Sequence, residues 1–307
     1  MYVNYAGRSG LRVSTLGLGT MTWGRGVPAD AAAELVRTFV DAGGNLIDTS
    51  FAYGVAQQMV GDIISSKVDR DDLVLVSKAG ISPGVNDVSV DCSRRGLMAQ
   101  LDQTLQTLGT DHLDLWLVEA WDSNVPLEET LSVLAAAQRS GRTRYVGVAN
   151  YSGWQSALAV SASEVPLVAA EVEYSLLQRT ADAELLPAAE HLGIGVLASS
   201  ALGRGVLTGK YRHAIPRDSR AASSDWSAFV GDYLNERDGQ IVEAVTAAAS
   251  GLNFSPLAVA LSWLASHSSI TSAIVGPRTV AQLNEILDGI DADVPDEILA
   301  ALDEVSQ

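Results

Sequence analysis

The chain has 307 residues, 47% hydrophobic and 19% charged, which is enough to bury a large core and too apolar for a disordered polymer. Twenty Lys and Arg against 37 Asp and Glu give a formal net charge of −17; such a surface repels nucleic acid and anionic lipid at long range, so any local gathering of cations becomes informative. Cys92 is the sole cysteine, which excludes an internal disulfide and a thiolate zinc centre. No apolar stretch approaches the ~20 residues of a membrane span, and the opening MYVNYAGRSGLRV lacks the apolar core of a signal peptide. A cytoplasmic enzyme with no metal, nucleic-acid or membrane partner is the expectation.

In chain order, Val3-Asn4-Tyr5, a Gly7-Arg8-Ser9-Gly10 turn and Leu11-Arg12-Val13 read as an N-terminal β-hairpin. Eight short apolar runs follow: Leu16 to Leu18, Leu46-Ile47, Leu73 to Val76, Leu113 to Val118, Tyr145 to Val148, Leu167 to Ala170, Ile194 to Ala198 and Ile270 to Val275. Segments of helical period separate them. Asp30 is positioned to cap the first, with Leu35, Val36, Phe39 and Val40 on one face and Gly43-Gly44 as a stop. Asp91 opens another, carrying Leu97, Leu101, Leu105 and Leu108 and ending at Gly109. Pro126 to Ser140 repeats the pattern and ends at Gly141. The connection from Ser199 to Asp238 is too long for an ordinary loop and is expected to be functional. A final helix is expected after Leu287. Eight apolar runs alternating with helices predict one α/β domain over 1–307, a (β/α)8 TIM barrel with long active-site loops. An open doubly wound sheet fits less well, because G-x-G-x-x-G is absent. The segment from Gly203 to Tyr211 falls short of a P-loop, since Arg204 stands where the first glycine belongs and Tyr211 replaces Ser or Thr.

Barrels gather their chemistry at the C-terminal rim of the strands. Just past each run stand Gly19-Thr20, Asp48 with Tyr53, Lys78, Glu119, Asn150, Glu171, Ser199-Ser200, and Gly276-Pro277-Arg278. An acid, a phenol and an amine at neighbouring strand ends point to proton transfer, although each alone is compatible with a cap, a rim residue or a solvated charge. Asp48 and Lys78 together are also compatible with a structural ion pair.

The segments LGLGTMTWG, NLIDTSFAYG, LVSKAG, HLDLWLVEAWD, PLEETL, GRTRYVGVANYSGWQ, EVEYSLLQR, ALGRGVLTGKY and GPRTVAQLNEIL, in that order, resemble the aldo-keto reductases over nearly the whole chain. The resemblance implies a barrel that binds NADP(H) without a Rossmann motif and reduces a small-molecule carbonyl, with Tyr53 as general acid. Lys78 would lower the phenol pKa from ~10, and Asp48 would neutralise the lysine. Glu119 stands where the family usually has histidine. Ionised, it would oppose a developing oxyanion by roughly 4 kcal/mol at 4 Å and an effective dielectric near 20. It is therefore expected to be protonated or turned away. The family's steroid double-bond reductases also carry glutamate here, which makes enone C=C reduction an alternative.

The resemblance further implies a nicotinamide site at Gly19, Thr20, Asn150, Glu171, Ser199 and Ser200. In it Ala149 replaces a serine, Glu171 a glutamine and Ser199 an aromatic ring. Leu202, Gly203, Arg204, Gly205 and Lys210 correspond to a pyrophosphate clamp. Gly276, Arg278, Thr279, Gln282 and Glu285 correspond to the adenosine end, where Arg278 suits a 2′-phosphate and Ile286 replaces an asparagine. Trp23 and Trp121 are candidate substrate walls, Trp226 another, whereas Trp154 is expected to pack. Because Glu119, Ala149, Glu171 and Ser199 all depart from the family's pattern, a cofactor-sensing protein with little turnover is the competing reading.

Overall fold

The computed structural model describes residues 1–83 and 88–307. Strands β1 (Val3–Tyr5) and β2 (Arg12–Ser14) pair antiparallel. They lead into β3 (Leu16–Gly19), helix α1 (Ala29–Asp41), β4 (Leu46–Asp48), α2 (Val55–Ile64) and β5 (Val74–Ala79). A small antiparallel pair, β6 (Ile81–Pro83) and β7 (Val88–Val90), precedes α3 (Arg94–Leu108). Then come β8 (Leu113–Val118), α4 (Leu127–Arg139), β9 (Thr143–Ala149), α5 (Gly153–Ala162), β10 (Leu167–Glu173), α6 (Leu185–Leu192) and β11 (Gly195–Ser199). The chain ends with α7 (Ser227–Gly231), α8 (Glu236–Leu252), α9 (Pro256–Ala265), β12 (Ile270–Val275), α10 (Val280–Gly289) and α11 (Asp296–Ser306).

Eight parallel strands close into a barrel in the order β3-β4-β5-β8-β9-β10-β11-β12, with β12 returning to β3. Each of the eight expected apolar runs forms one of them. The helix ends follow local chemistry, not always the residues the sequence pointed to. Ser93, not Asp91, caps α3 by accepting from the Gly96 N–H, and α1 starts after Pro28 with Asp30 already in its first turn. In place of an irregular loop, the 199–238 connection holds short 3₁₀ turns at Gly203–Thr208 and Arg220–Ala222 and then α7. No single helix among the described residues is long and apolar enough to cross a membrane.

Period-two alternation explains what the barrel contains. Leu46, Val76, Leu115, Leu117, Ala169, Leu197 and Ile274 form a buried cluster inside it, whereas Ile47, Leu75, Trp116, Ala170 and Val196 pack outward against the helices. The interior cluster continues through Ala6, Leu11 and Val13, so the β1–β2 hairpin plugs the N-terminal end. Gly7 makes that seal possible. At φ +57° it lies so close to β11 that a Cβ would sit 2.4 Å from the Gly193 carbonyl oxygen and 2.7 Å from the Gly195 nitrogen. With the bottom closed, only the opposite mouth can admit ligand.

Candidate active site

Two residues beyond Leu46, Val76, Ala169 and Leu197, the inward positions are Asp48, Lys78, Glu171 and Ser199. The register that fills the core with aliphatic side chains therefore lifts polar ones into the mouth. Lys78 is 2% exposed, Asp48 3%, Glu171 5% and Glu119 7%. The Lys78 ammonium donates to Asp48 Oδ1 and lies 3.0 Å from both carboxylate oxygens of Glu171. It also sits 5.5 Å from the centroid of the Tyr53 ring.

Tyr53 ends a single 3₁₀ turn, Phe51–Tyr53, that Ser50 starts by accepting from the Ala52 N–H at 3.1 Å. The next residue, Gly54, takes φ +57° and ψ −111°, a conformation that strains any L side chain, and this lets the tyrosine turn back over the mouth before α2 begins. The Ser50 hydroxyl donates to Glu119 Oε2 at 2.7 Å. Sequence reasoning missed Ser50, although its place between Asp48 and Tyr53 was the available signal.

Three carboxylates thus surround one ammonium in a nearly dry site. Burial alone would lower Lys78, but Asp48 and Glu171, with smaller contributions from Tyr53 and Glu119, hold it well above the ordinary lysine range. Burial, then the Asp48 charge, pushes Glu171 up to about 8 against the pull of Lys78. Burial also raises Glu119, opposed by Lys78 and the Ser50 hydrogen bond. Lys78 does pull the Tyr53 phenol down, as expected, but burial outweighs it and Asp48, Glu171 and Glu119 add to the rise, leaving the phenol well above its usual value. The phenol is thereby kept as a proton donor.

The cleft over these residues has a volume of about 300 Å³ and is lined by Gly19, Asp48, Tyr53, Lys78, Glu119, Asn150, Glu171, Ser199 and Ser200 among others. It shares Ser200, Arg220, Ile274, Val275 and Gly276 with a second cavity of about 280 Å³, which continues past Leu202, Gly205, Lys210, Arg278, Gln282 and Glu285. Together they form one bent groove. Arg220 stands where the two meet and donates to the Gly276 carbonyl at 2.6 Å. It was not singled out from the sequence, because a lone arginine inside the long 199–238 connection carries no motif.

Lys210, Arg220 and Arg278 converge here, and none of them forms an ion pair among the described residues; Arg278 donates to the Asp218 carbonyl instead. Burial and the two guanidiniums bring Lys210 down to about 8, and burial and Arg278 also lower Arg220. Unneutralised cations packed together in so acidic a chain fit an extended polyanion. Gly205, at φ +91°, has Lys210 Nζ 3.1 Å from where its Cβ would be, so a side chain there would crowd the groove.

Several candidates are placed differently from expectation. Trp23 is fully buried in the core and cannot line a substrate wall. Trp121 packs edge-on against Tyr151 and Trp154, at 5.4 and 5.2 Å between centroids, outside the lining of the cleft. Thr20 is also buried and donates to the Asp48 carbonyl at 2.9 Å, holding the strand end instead of a ligand. Glu171 lines the cleft and at the same time accepts from Lys78. Arg204 spends its guanidinium on Glu173, Asp232 and the Phe229 carbonyl, which makes it a strap, not a phosphate ligand. Thr279 caps α10 by accepting from the Gln282 N–H, and the Gln282 side chain accepts from the Arg278 N–H; both therefore shape the groove end. Asn150, at φ +58°, donates to the Glu119 carbonyl at 2.9 Å and ties two rim loops together. Ser199, Ser200, Leu202, Gly276 and Glu285 do line the groove, and Gly203 turns the chain beneath it.

The model of the aldo/keto reductase family matches residues 15–307. The chain belongs to that family. It is 31% identical to the L-glyceraldehyde 3-phosphate reductase of Escherichia coli (strain K12), covering 93% of this chain and 86% of that protein. It is 30% identical to the uncharacterized oxidoreductase YrpG of Bacillus subtilis (strain 168), over 99% of this chain and 96% of the relative. Protein tas of Escherichia coli (strain K12) is also 30% identical, over 97% and 96%. The protein is an aldo-keto reductase-type oxidoreductase acting on a small molecule, of a family that generally uses NAD(P)H.

Proposed function

We propose that this oxidoreductase reduces an aldehyde or ketone with NADPH, and that Tyr53 is its general acid. The observation that carries the reading is one continuous groove with a half-buried tyrosine beside an ammonium at one end and a three-cation cluster at the other. Bound NADPH would supply the hydride. Lys210, Arg220 and Arg278 would hold its phosphates, with Gly205 leaving room for their approach. Tyr53, kept protonated by burial and by its acidic neighbours, gives its proton to the oxygen that the hydride leaves negative. Lys78 stabilises the phenolate left behind, and Asp48 fixes the lysine. Asn150, Glu171, Ser199 and Ser200 line the cleft and would stand around the reacting ring. The whole of 1–307 acts as one cytoplasmic domain.

The test is loss of NADPH absorbance with a panel of aldehydes and ketones. Tyr53→Phe should lower kcat by roughly 10²- to 10⁴-fold, the usual range for a positioned acid, while NADPH binding measured by fluorescence stays intact. If no carbonyl is turned over although NADPH binds, the sensor reading replaces this one. Arg278→Ala should lower NADPH affinity by about 10- to 100-fold and leave NADH affinity nearly unchanged, because charge-assisted hydrogen bonds are worth about 1.5–3 kcal/mol. Equal losses for both nucleotides would remove Arg278 from the 2′-phosphate.

Buried Glu119, held by Ser50 at the mouth, supports enone reduction as a second reading. A protonated carboxyl can hydrogen-bond an enone oxygen, which an ionised one cannot. Product analysis with 2-cyclohexenone separates the two: the allylic alcohol supports carbonyl reduction, and the saturated ketone supports the second reading.

A further inference from the structure

The mouth holds a third cavity, of about 590 Å³, between the start of α5 and the connection from β10 to α6. It shares Asn150 and Glu173 with the catalytic cleft. Asn150 follows β9 and Glu173 ends β10, and these strands pair, so the two cavities lie side by side with those residues as the ridge between them. The ridge is fixed at both ends: Asn150 donates to the Glu119 carbonyl, and Arg204 holds Glu173. The walls are equally well built. Ser152 and Gln155 form a reciprocal cap that starts α5. Gly153 lies so close to the facing connection that a Cβ would sit 2.6 Å from Glu184 Cβ and 2.7 Å from its carbonyl oxygen. On that connection, the Gln178 side chain accepts from both the N–H and the hydroxyl of Thr180.

Trp154 stands in this cavity 53% exposed, with Trp121 edge-on to it at 5.2 Å and Tyr151 bracing Trp121 in turn. An indole held in that way is an anchor for a flat ring. Val172, Ala181 and Leu185 extend the apolar lining, and Glu173 and Glu184 are its charged members, with no cation beside them in the cavity among the described residues. An uncharged group fits such a wall and an anion does not. Size gives the cavity its use. The catalytic cleft, at about 300 Å³, has to take the reacting ring of the cofactor as well as the carbonyl, and it lies at the small end of the ~300–1,000 Å³ typical of ligand pockets. The rest of a larger substrate needs another place, and the nucleotide occupies the cationic groove.

We propose that this third cavity is the subsite for the substrate's tail, and that the preferred carbonyl compounds carry an uncharged aryl group on a short linker. The linker crosses the ridge of Asn150 and Glu173, and the ring stacks on Trp154, which sets specificity without touching the reacting atoms. The identity of the reacting end rests on the carbonyl-reductase reading; the subsite itself rests on the cavity.

The experiment compares pentanal with 5-phenylpentanal, which share one reacting group, in NADPH-dependent turnover. Wild type should favour the phenyl compound in kcat/KM. Trp154→Ala should cut that preference roughly 10-fold, the scale of one aromatic contact, by raising KM for 5-phenylpentanal while pentanal turnover stays the same. Trp154→Phe should restore most of it. Ala183→Trp, which fills the cavity and leaves Trp154 in place, should cut it as well, with circular dichroism verifying that the variants fold. A preference that survives in both Trp154→Ala and Ala183→Trp overturns the proposal, and so does an equal loss for both aldehydes. A para-carboxylate on the phenyl ring should cancel the preference; if it does not, the uncharged class is wrong. Binding is read separately, by saturation-transfer NMR of 5-phenylpentan-1-ol on the protein without cofactor. Its ring protons should be saturated by wild type and not by Ala183→Trp. If no aldehyde is reduced and this difference is seen, the reductase reading fails and the subsite stands. If the aldehydes are reduced and the ring is saturated equally in Ala183→Trp, the subsite fails and the reductase reading stands.

Discussion

Glu171 makes stability depend on pH at the scale of one residue. A carboxyl whose folded-state pKa lies near 8, against an ordinary value of about 4.3, binds more protons folded than unfolded between those limits. Its contribution to stability is therefore fully present below about pH 4.3 and is lost as pH rises toward 8. Glu119, raised for the same reason, adds a slope of the same sign. Urea unfolding of wild type and Glu171→Gln across pH 5 to 8.5 should show the wild type losing stability relative to the variant as pH rises. Parallel curves would mean that Glu171 is ionised throughout. A glutamine retains a carbonyl to accept from Lys78, so the comparison removes the titration while keeping a hydrogen bond.

The 199–238 connection is the element that differs most from a plain loop, and Arg204 straps it to β10 and to α7. Arg204, itself at φ +56°, forms paired bonds to Glu173 at 2.8 and 2.7 Å, and reaches the Phe229 carbonyl at 2.5 Å and Asp232 at 2.9 Å. It also stacks over the rings of Phe229 and Tyr233, at 4.0 and 4.7 Å from their centroids. A lysine keeps the charge but cannot make the planar fork. Arg204→Lys should weaken this strap by about 1–3 kcal/mol, the worth of charged hydrogen bonds. Amide exchange should then speed up over 220–233 and NADPH should dissociate faster, while the chemical step in single turnover stays the same. Unchanged exchange would show that the rest of the segment orders itself. The strands were legible because inside–outside alternation in Leu46-Ile47-Asp48 or Val76-Ser77-Lys78 is a local pattern. Arg204 was misread and Arg220 overlooked for the opposite reason. What each guanidinium touches is decided by partners 25 to 56 residues away, which no local spacing encodes. Trp23 failed in the same manner, because a tryptophan near a strand end can face either the mouth or the core, and tertiary packing chose the core.

For the whole molecule, the net charge of −17 and the cluster of Lys210, Arg220 and Arg278 pull an anionic cofactor in opposite directions. The two fields have different reach. Surface carboxylates act at long range and are screened once the Debye length shrinks from about 30 Å at 0.01 M salt to about 8 Å at 0.15 M. The cations line the groove and act on a ligand at contact distance, well inside a Debye length, where screening is weak. Raising salt over that interval should therefore increase the NADPH association rate in stopped-flow fluorescence and change dissociation little. This is the reverse of the response of a basic binding surface. A rate that falls with salt would mean that the cation cluster projects a field beyond the groove and steers the cofactor in, so that the acidic surface would not govern the encounter. In Arg220→Ala the long-range repulsion is essentially intact, so the association rate should keep its upward salt dependence while the complex dissociates faster.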